Sequence, residues 1–316
     1  MKRSDISRSR ILALAGAGLA ATLLPTKARA QAATIRIGQN ATDTFGEGYY
    51  AADNGAFEAA GLKVTVSTFA NGAAQAEAVA GGTIDVGLGE ATELANGISH
   101  GLPFAIFAGG SLYNSTAPTT FLCVASDSPA RVAKDLEGRI IAVPSLVSLS
   151  SISVRAWLVQ NGVEVAKVHF VEMPQSLMTS AVARGTIAAC HIGEPSLSGA
   201  GSTLRRIATP YDAIAKQFQI SDWFATRDWL KANVATVKVL VGVIYQTARW
   251  ANGHTDESAT ILAKYSKMDV DGVRRMTRTR YATGLDPRLI QPVLDTAFAF
   301  GGLPRAMRAT DMIAKV

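Results

Sequence analysis

Residues 82–92 (GTIDVGLGEAT) and residues 185–196 (GTIAACHIGEPS) are two versions of one pattern, in which Gly-Thr-Ile leads through a short apolar run to Gly-Glu. Earlier stretches match at nearly the same spacing of about 103 residues: 35–38 with 140–143, and 54–55 with 161–162. A period of this length is too long for a solenoid and indicates a βαβαβ unit that occurs twice. We therefore expect two similar α/β lobes, with the cleft between them as the ligand site.

The first thirty residues have the three parts of a secretory signal peptide. A basic start precedes an apolar stretch at 11–24 and the small-x-small sequence Ala28-Arg29-Ala30. The apolar stretch is too short to span a membrane. We predict cleavage after Ala30 and a periplasmic mature protein, with no Cys nearby to carry a lipid anchor. Export by the Sec or the twin-arginine route stays open, since Ser9 separates two of the arginines.

The alkaline isoelectric point is mainly a property of this segment. Residues 1–30 hold six basic residues and one acid, so they account for five of the six formal positive charges. Nucleic-acid binding needs a clustered basic surface. The densest remaining basic runs, at 205–206 and 274–280, are typical of solvated faces. No nucleic-acid partner is predicted.

Strand and helix patterns alternate through residues 34–208, as expected for mostly parallel sheets. Strands are predicted at 34–38, 62–69, 83–88, 104–108, 139–143, 168–172, 186–192 and 202–208. Helices are predicted between them at 45–60, 73–80, 91–99, 150–160 and 177–183. Two segments, 120–126 and 217–226, are expected to join the lobes, and the pattern is helical from Trp229 onward.

Patterns typical of cofactor or catalytic sites are incomplete in this chain. Gly87-Leu88-Gly89 lacks the third glycine of a dinucleotide fingerprint, because that position holds Thr92. The four histidines lack the spacing of a zinc site. The serines of residues 145–151 lack a nucleophile elbow and a neighbouring base, and instead favour hydroxyl and N–H contacts to a ligand in the cleft. We expect no catalytic residue, no metal and no cofactor.

Seven stretches of the first half of the chain occur in a specific order and spacing. They are 35–38 (IRIG), 49–57 (YYAADNGAF), 60–64 (AGLKV), 80–87 (AGGTIDVG), 101–103 (GLP), 135–139 (DLEGR) and 142–144 (AVP). Together they resemble the nitrate/sulfonate/taurine-type substrate-binding proteins of ABC transporters. The resemblance implies the two-lobed type II periplasmic-binding-protein fold, with two mostly parallel sheets joined by two crossover strands. It also implies that residues 31–120 and 218–316 form lobe 1 and residues 121–217 form lobe 2.

The chain departs from this family just before its second Gly-Glu. Many members carry Trp before Glu-Pro there, whereas this chain has His191-Ile192-Gly193. The sequence therefore does not supply that aromatic wall of the pocket, and the solutes of the family are not carried over. The fold also implies that Cys123, on the first crossover strand, lies beside Cys190, on the third strand of lobe 2. Either a disulfide or two buried thiols would fit this placement.

We expect a monomeric receptor, not an enzyme, that closes on a small-molecule solute and is then recognised by an ABC transporter permease. Ligand contacts are predicted at Asn40, Thr42, Asp43, Phe45, Glu90, Ala91, Thr92, Ser145, Leu149, Ser150, Ser151, Gly193 and Glu194. The loops that hold them contain no Lys and no Arg, which favours an amine-bearing, zwitterionic or heterocyclic solute over a bare anion. Arg155, one turn into the helix after Ser151, would reverse this preference if it faced the ligand.

Two alternatives belong to other classes. A cytoplasmic enzyme on the same fold, such as a thiamine-pyrimidine synthase-like protein or a menaquinone-pathway dehydratase, would need a reactive cluster and no signal peptide. The effector lobes of a LysR-type regulator would need an N-terminal helix-turn-helix, which residues 1–30 do not provide. Detection of the mature protein in the cytoplasm would favour either of them.

Overall fold

The computed structural model describes residues 34–315, and the predicted signal peptide lies outside these residues. The strands are β1 (Ile35–Asn40), β2 (Val64–Phe69), β3 (Val86–Gly89), β4 (Phe104–Gly109), β5 (Ser111–Asn114), β6 (Thr120–Ala125), β7 (Ile140–Val143), β8 (His169–Glu172), β9 (Ala189–Gly193), β10 (Leu204–Ala208), β11 (Gln217–Gln219), β12 (Asp222–Thr226) and β13 (Arg280–Tyr281). The α-helices are α1 (Glu47–Asp53), α2 (Ala56–Ala59), α3 (Gly72–Ala80), α4 (Ala91–Ser99), α5 (Leu149–Gln160), α6 (Gln175–Ala183), α7 (Ser196–Gly199), α8 (Arg227–Ala232), α9 (Val234–Gly253), α10 (Thr255–Ser266), α11 (Val270–Arg275), α12 (Pro287–Ala299) and α13 (Ala309–Met312).

The first sheet has the strand order β2-β1-β3-β12-β4. Its strands β1, β2 and β3 are parallel, and β12 runs antiparallel between β3 and β4. The strands β3 and β4 are buried along their whole length. Near-continuous apolar sequences such as Phe104–Gly109 are what a sheet covered on both faces requires.

The second sheet repeats this arrangement with the order β8-β7-β9-β6-β10. Here β7, β8 and β9 are parallel, and β6 runs antiparallel between β9 and β10. The antiparallel strands β12 and β6 therefore occupy equivalent places in the two sheets, each next to the third parallel strand. This equivalence confirms the predicted two-lobed α/β fold with two crossover strands, and it explains why the Gly-Glu pattern occurs after both β3 and β9.

Helices cover both faces of each sheet. On one face of the first sheet, α9 buries Val237, Leu240 and Ile244, whose i, i+3, i+7 spacing matches the sequence prediction. The helices α3, α4 and α12 cover its other face. The second sheet lies between α5 and α6. Although α9 has 20 residues, no helix within residues 34–315 is both long and apolar enough to cross a membrane.

Two predicted elements are divided in the structure. The helix predicted at 45–60 is interrupted between α1 and α2, where Gly55 adopts a left-handed conformation with φ 75° that no helix interior accommodates. The return segment predicted at 217–226 forms two strands, β11 and β12. Of these, β11 joins β5 and β13 in a third, antiparallel sheet. Its strands have only two to four residues, too few for an alternating pattern to be recognised.

Candidate functional site

A cavity of about 270 Å³ opens where strands of both sheets end. From the first sheet, residues after β1, β2 and β3 contribute to its wall, and from the second sheet, residues after β7, β8 and β9 do so. Ligands of open α/β sheets bind at such carboxyl ends of strands. Among the described residues, the lining includes three carboxylates, Glu90, Glu93 and Glu194, and neither Lys nor Arg.

The thirteen predicted contact residues divide into two groups. Seven line the cavity: Asn40, Thr42, Phe45, Glu90, Ser150, Gly193 and Glu194. Six are buried but lie outside the lining: Asp43, Ala91, Thr92, Ser145, Leu149 and Ser151. The strand-to-helix loops thus converge as the sequence predicts, and their contact with a ligand stays a prediction.

Asp43 is held in a buried ion pair. Its Oδ1 lies 2.8 Å from Nη2 of Arg278 and accepts a hydrogen bond from the Tyr50 hydroxyl at 3.0 Å. Its Oδ2 accepts a hydrogen bond from the backbone nitrogen of Thr279 at 2.5 Å. The charge of this carboxylate is therefore compensated within the protein, by a residue more than two hundred positions away that the loop sequence does not reveal.

Glu194 has protein partners at both carboxylate oxygens. The backbone nitrogen of Ser198 donates to Oε2 at 2.9 Å, and the Ser198 hydroxyl donates to Oε1 at 3.0 Å. The backbone oxygen of Glu194 also accepts a hydrogen bond from the nitrogen of Asp43 across the cleft, at 3.5 Å. Burial raises the pKa of Glu194, and the hydrogen bonds from Ser198 act against this rise. Glu194 therefore connects the two sides of the cavity.

Glu90 makes a second connection across the cleft. Located between β3 and α4, it accepts a hydrogen bond at Oε2 from the backbone nitrogen of Leu149, the first residue of α5, at 2.6 Å. Burial raises the pKa of Glu90 to about 7, and the hydrogen bond from Leu149 opposes this rise. A carboxylate from the first sheet thus occupies the positive end of a helix that packs on the second.

Glu93 lines the cavity and was not predicted. It lies in the first turn of α4, three residues after Glu90, and its side chain is 7% exposed. Its Oε2 has no hydrogen-bond partner within residues 34–315. Burial and the neighbouring Glu90 raise its pKa well above the ordinary value for Glu. The spacing Glu90-x-x-Glu93 at the start of a helix resembles a capping box, which is the signal that points to this residue in the sequence.

The serines of residues 145–151 mainly organise the start of α5. The Ser148 side chain caps the helix by accepting a hydrogen bond from the nitrogen of Ser151, and its hydroxyl donates to the Ser145 carbonyl at 2.6 Å. The Ser151 hydroxyl accepts a hydrogen bond from Arg155, whose guanidinium lies 4.4 Å from the Phe170 ring centroid. Arg155 is therefore held on the second sheet and does not line the cavity.

Three aromatic side chains line the cavity, and of these only Phe45 was predicted from the sequence. Phe45, Phe69 and Tyr211 contribute rings to the wall. Tyr211 comes from a short 3-10 segment after β10, and its ring packs edge-to-face on Tyr113, with centroids 5.3 Å apart. The aromatic rings of the wall thus come from segments other than residues 191–193, where this chain has no Trp.

His191 and the two cysteines are buried and do not line the cavity. His191 is completely buried against Tyr211, and burial lowers its pKa to about 3, so the imidazole is neutral. Cys123 and Cys190 are opposite partners on β6 and β9, and both are free and fully buried. Within residues 34–315, no three His, Cys, Asp or Glu side chains are grouped so that they could hold a metal ion.

The fold and the family are also apparent from comparison with known proteins. A curated binding protein of Brucella abortus (strain 2308) is 26% identical over 257 residues, which cover 79% of this chain and 77% of the relative. The alkanesulfonate-binding protein SsuA from Xanthomonas axonopodis pv. citri, solved bound to MOPS, is similar in structure, with a TM-score of 0.77, 19% identity and coverage of 91% of this chain and 100% of that one. The periplasmic nitrate-binding protein NrtA from Synechocystis PCC 6803 has a TM-score of 0.74 at 15% identity, with 89% and 85% covered. Residues 43–258 match the model of the NMT1/THI5-like family, so the chain belongs to that family and the resemblance seen in the sequence is confirmed.

Proposed function

We propose that this protein is the solute receptor of an ABC importer, which encloses a small polar organic molecule and delivers it to a membrane permease. The observation that carries this proposal is the cavity of about 270 Å³, whose wall is built from the ends of strands in both sheets. A ligand that contacts both sides at once would stabilise the closed state by its differential affinity for it.

The lobe boundaries that we propose are residues 31–120 with 218–316, and residues 121–217. The strand exchange supports them, because β6 enters the second sheet and β12 returns to the first. Hydrogen bonds of Glu90 with Leu149, and of Glu194 with Asp43, bridge the cleft between these parts. Opening of the cleft would break both bridges and admit the solute, as in hinge closure.

We propose that the solute contacts Asn40, Thr42, Phe45, Glu90, Ser150, Gly193 and Glu194, the predicted residues that line the cavity. An amine-bearing, zwitterionic or heterocyclic solute fits three carboxylates better than a bare anion does. The ligands named for the two solved relatives, an alkanesulfonate and nitrate, are anions. We do not transfer them, because the described lining has no Lys or Arg to hold an anion, and any of its acids that is ionised would repel one.

An enzyme on the same fold, such as a thiamine-pyrimidine synthase-like protein, is the alternative. Against it stand a buried neutral His191 and two buried cysteines, whose thiolate forms burial disfavours. We propose that the protein acts without a cofactor, as a monomer in the periplasm, after cleavage of its signal peptide behind Ala30. Its partners would be a solute and a permease, and not nucleic acid.

Native mass spectrometry of freshly purified mature protein tests the proposal. A receptor should carry one small molecule that is released intact on unfolding and rebinds with a one-to-one stoichiometry. Prolonged incubation with the native protein should leave the mass of that molecule unchanged. Conversion of the molecule into a product would instead support the enzyme reading, and a cytoplasmic location of the mature protein would argue in the same direction.

A further inference from the structure

Glu93 differs from the other acidic groups around the cavity in its hydrogen bonding. Asp43 is paired with Arg278, and Glu194 accepts hydrogen bonds from Ser198 at both oxygens. Glu90 accepts a short hydrogen bond from Leu149. By contrast, Oε2 of Glu93 is buried and has no partner in the part of the chain that the structure describes. Its side chain lines the cavity and is 93% buried.

The surroundings of Glu93 supply no compensating positive charge. Glu90, at the start of the same helix, and Glu172, at the end of β8, both act to raise the pKa of Glu93. The Tyr211 hydroxyl is a further ionisable group in the field of Glu93, and burial keeps it neutral. Within the described lining there is no Lys, Arg or His. A hydrogen bond from the Glu90 backbone acts against this rise in the pKa of Glu93. A buried carboxylate oxygen without a partner is costly, and in the described part of the ligand-free protein Oε2 of Glu93 is such an oxygen.

We propose that Glu93 is the residue that recognises the charge of the solute, and that the solute carries a compact cationic group with N–H donors, an ammonium or an amidinium. This inference rests on the receptor function proposed above and narrows its solute class. An N–H donor of the solute would supply the missing partner of Oε2, and its positive charge would stabilise the ionised carboxylate. Hydrogen bonds between charged groups are about twice as strong as neutral ones.

The aromatic lining supports the same class of solute. Phe69 and Tyr211 line the cavity together with Glu93. The face of an aromatic ring attracts a cation within about 6 Å of its centroid, and the attraction grows when water is excluded. A ring and a carboxylate in one cavity are therefore complementary to a cation, whereas the same set offers little to an anion.

Gly72 leaves the space that the Glu93 carboxylate occupies. A Cβ atom at residue 72 would overlap Oε2 of Glu93, so the absence of a side chain there makes room for the carboxylate. Gly72 is the first residue of α3, where alanine is compatible with the helix. The substitution Gly72→Ala should therefore displace the carboxylate without removing its charge. This variant therefore tests whether the position of the Glu93 carboxylate matters, whereas Glu93→Gln tests whether its charge matters.

Calorimetry with two sets of matched probes tests the inference. Each set keeps one skeleton and changes the charge: benzamidine, benzamide and benzoate, then butylamine, butyramide and butyrate. At pH 7.5 at least one of the two cations should bind more tightly than its own amide and carboxylate. Glu93→Gln should lower that affinity by about tenfold or more, since a charged hydrogen bond is lost, and should leave the amide unaffected. Gly72→Ala should lower the cation affinity in the same direction.

Glu77→Gln is the matched control, because it removes one charge from the exposed face of α3 and should change neither affinity. A carboxylate or amide that binds more tightly than its cation would overturn the inference, and so would failure of both cations to bind. Unchanged cation affinity in a folded Glu93→Gln protein would also overturn the inference. None of these results would contradict the receptor function, which is tested separately by native mass spectrometry of the co-purified molecule.

Discussion

The carboxylate oxygen Oε2 of Glu90 lies 2.6 Å from the backbone nitrogen of Leu149, and this hydrogen bond joins the turn after β3 to the N-terminus of α5. Glu90 follows a strand of the first sheet, and Leu149 begins a helix that packs on the second sheet, so we expect this bond to break when the cleft opens. It also places a negative charge at the end of a helix that carries about half a positive charge. We therefore expect this contact to favour the closed cleft and to keep anions away from the N-terminus of α5.

Substitution Glu90→Ala should favour the open state of the ligand-free protein. The variant loses a helix-capping contact of the kind that typically contributes about 1 kcal/mol. Small-angle X-ray scattering should then show a larger radius of gyration than for the wild type at the same pH. Glu58→Ala removes an exposed acid from α2 and is the control, with no expected change. Identical scattering from the Glu90→Ala and wild-type proteins would contradict a role of this bond in closure.

Substitution Arg278→Met should destabilise the protein strongly. It removes the partner of Asp43, whose side chain is fully buried, and leaves an uncompensated charge. Loss of one partner from a buried ion pair commonly costs about 3–5 kcal/mol. Urea denaturation should show this loss, while Arg274→Ala, which breaks a solvent-exposed pair with Asp271, should change stability by less than about 0.5 kcal/mol. Comparable small effects of both substitutions would mean that Asp43 finds another partner.

These two contacts show what can and cannot be predicted from the sequence. The fold follows from repeated local patterns, because Gly-Thr-Ile and Gly-Glu mark equivalent strands and turns in both halves. The strand-to-helix loops of the cavity follow as well, since parallel strands bring their carboxyl ends together. Pairing across the fold does not follow, because Arg278 and Tyr211 reach the site from distant segments with no local pattern. The environment of Glu93 is likewise set by its neighbours in space.

Stability should fall as the pH rises through the neutral range. Burial raises the pKa values of Glu47 and Asp222 to about 8, whereas in the unfolded chain they are near 4. Between these values the folded state binds more protons than the unfolded state, so the free energy of unfolding decreases with rising pH. Urea denaturation from pH 5 to pH 8.5 should show this decrease.

Substitution Asp222→Asn should make that pH dependence shallower and raise stability most at the alkaline end. The amide keeps the size of the side chain and stays uncharged at every pH of the series. Asp135→Asn is the contrasting variant: backbone hydrogen bonds from Arg131 and Val132 lower the pKa of this exposed carboxylate, so its contribution is lost only in acid. A slope unaffected by Asp222→Asn would show that this group is ionised in the folded protein.

The two cysteines should be unreactive in the native protein and reactive after unfolding. Cys123 and Cys190 are fully buried, and burial raises the pKa of Cys123 to about 12. Since the thiolate is the reactive form, a thiol reagent at pH 8 should label neither residue until denaturant is added. Two thiols per chain should then appear without reductant, as both cysteines are free in the structure. Their appearance only after reduction would indicate a disulfide across β6 and β9.

Nitrate and sulfate should not bind tightly to the wild-type protein. Helix N-termini are the usual anion sites in cavities of this kind, but the N-terminus of α5 is already occupied by the carboxylate of Glu90. Glu194 is a further acidic residue nearby, and within the described lining no Lys or Arg would attract an anion. The acidic side chains should therefore exclude an inorganic anion at neutral pH.

Calorimetry of the wild-type and Glu90→Ala proteins with sodium nitrate and sodium sulfate checks this expectation. The wild type should give no heat of binding at millimolar concentrations, with sodium chloride as the ionic-strength control. The variant exposes the Leu149 nitrogen and should gain weak binding of sulfate, because an anion can then take the place of the lost carboxylate. Tight binding of either anion to the wild type would show that the positive ends of the helices outweigh the carboxylates in this cavity.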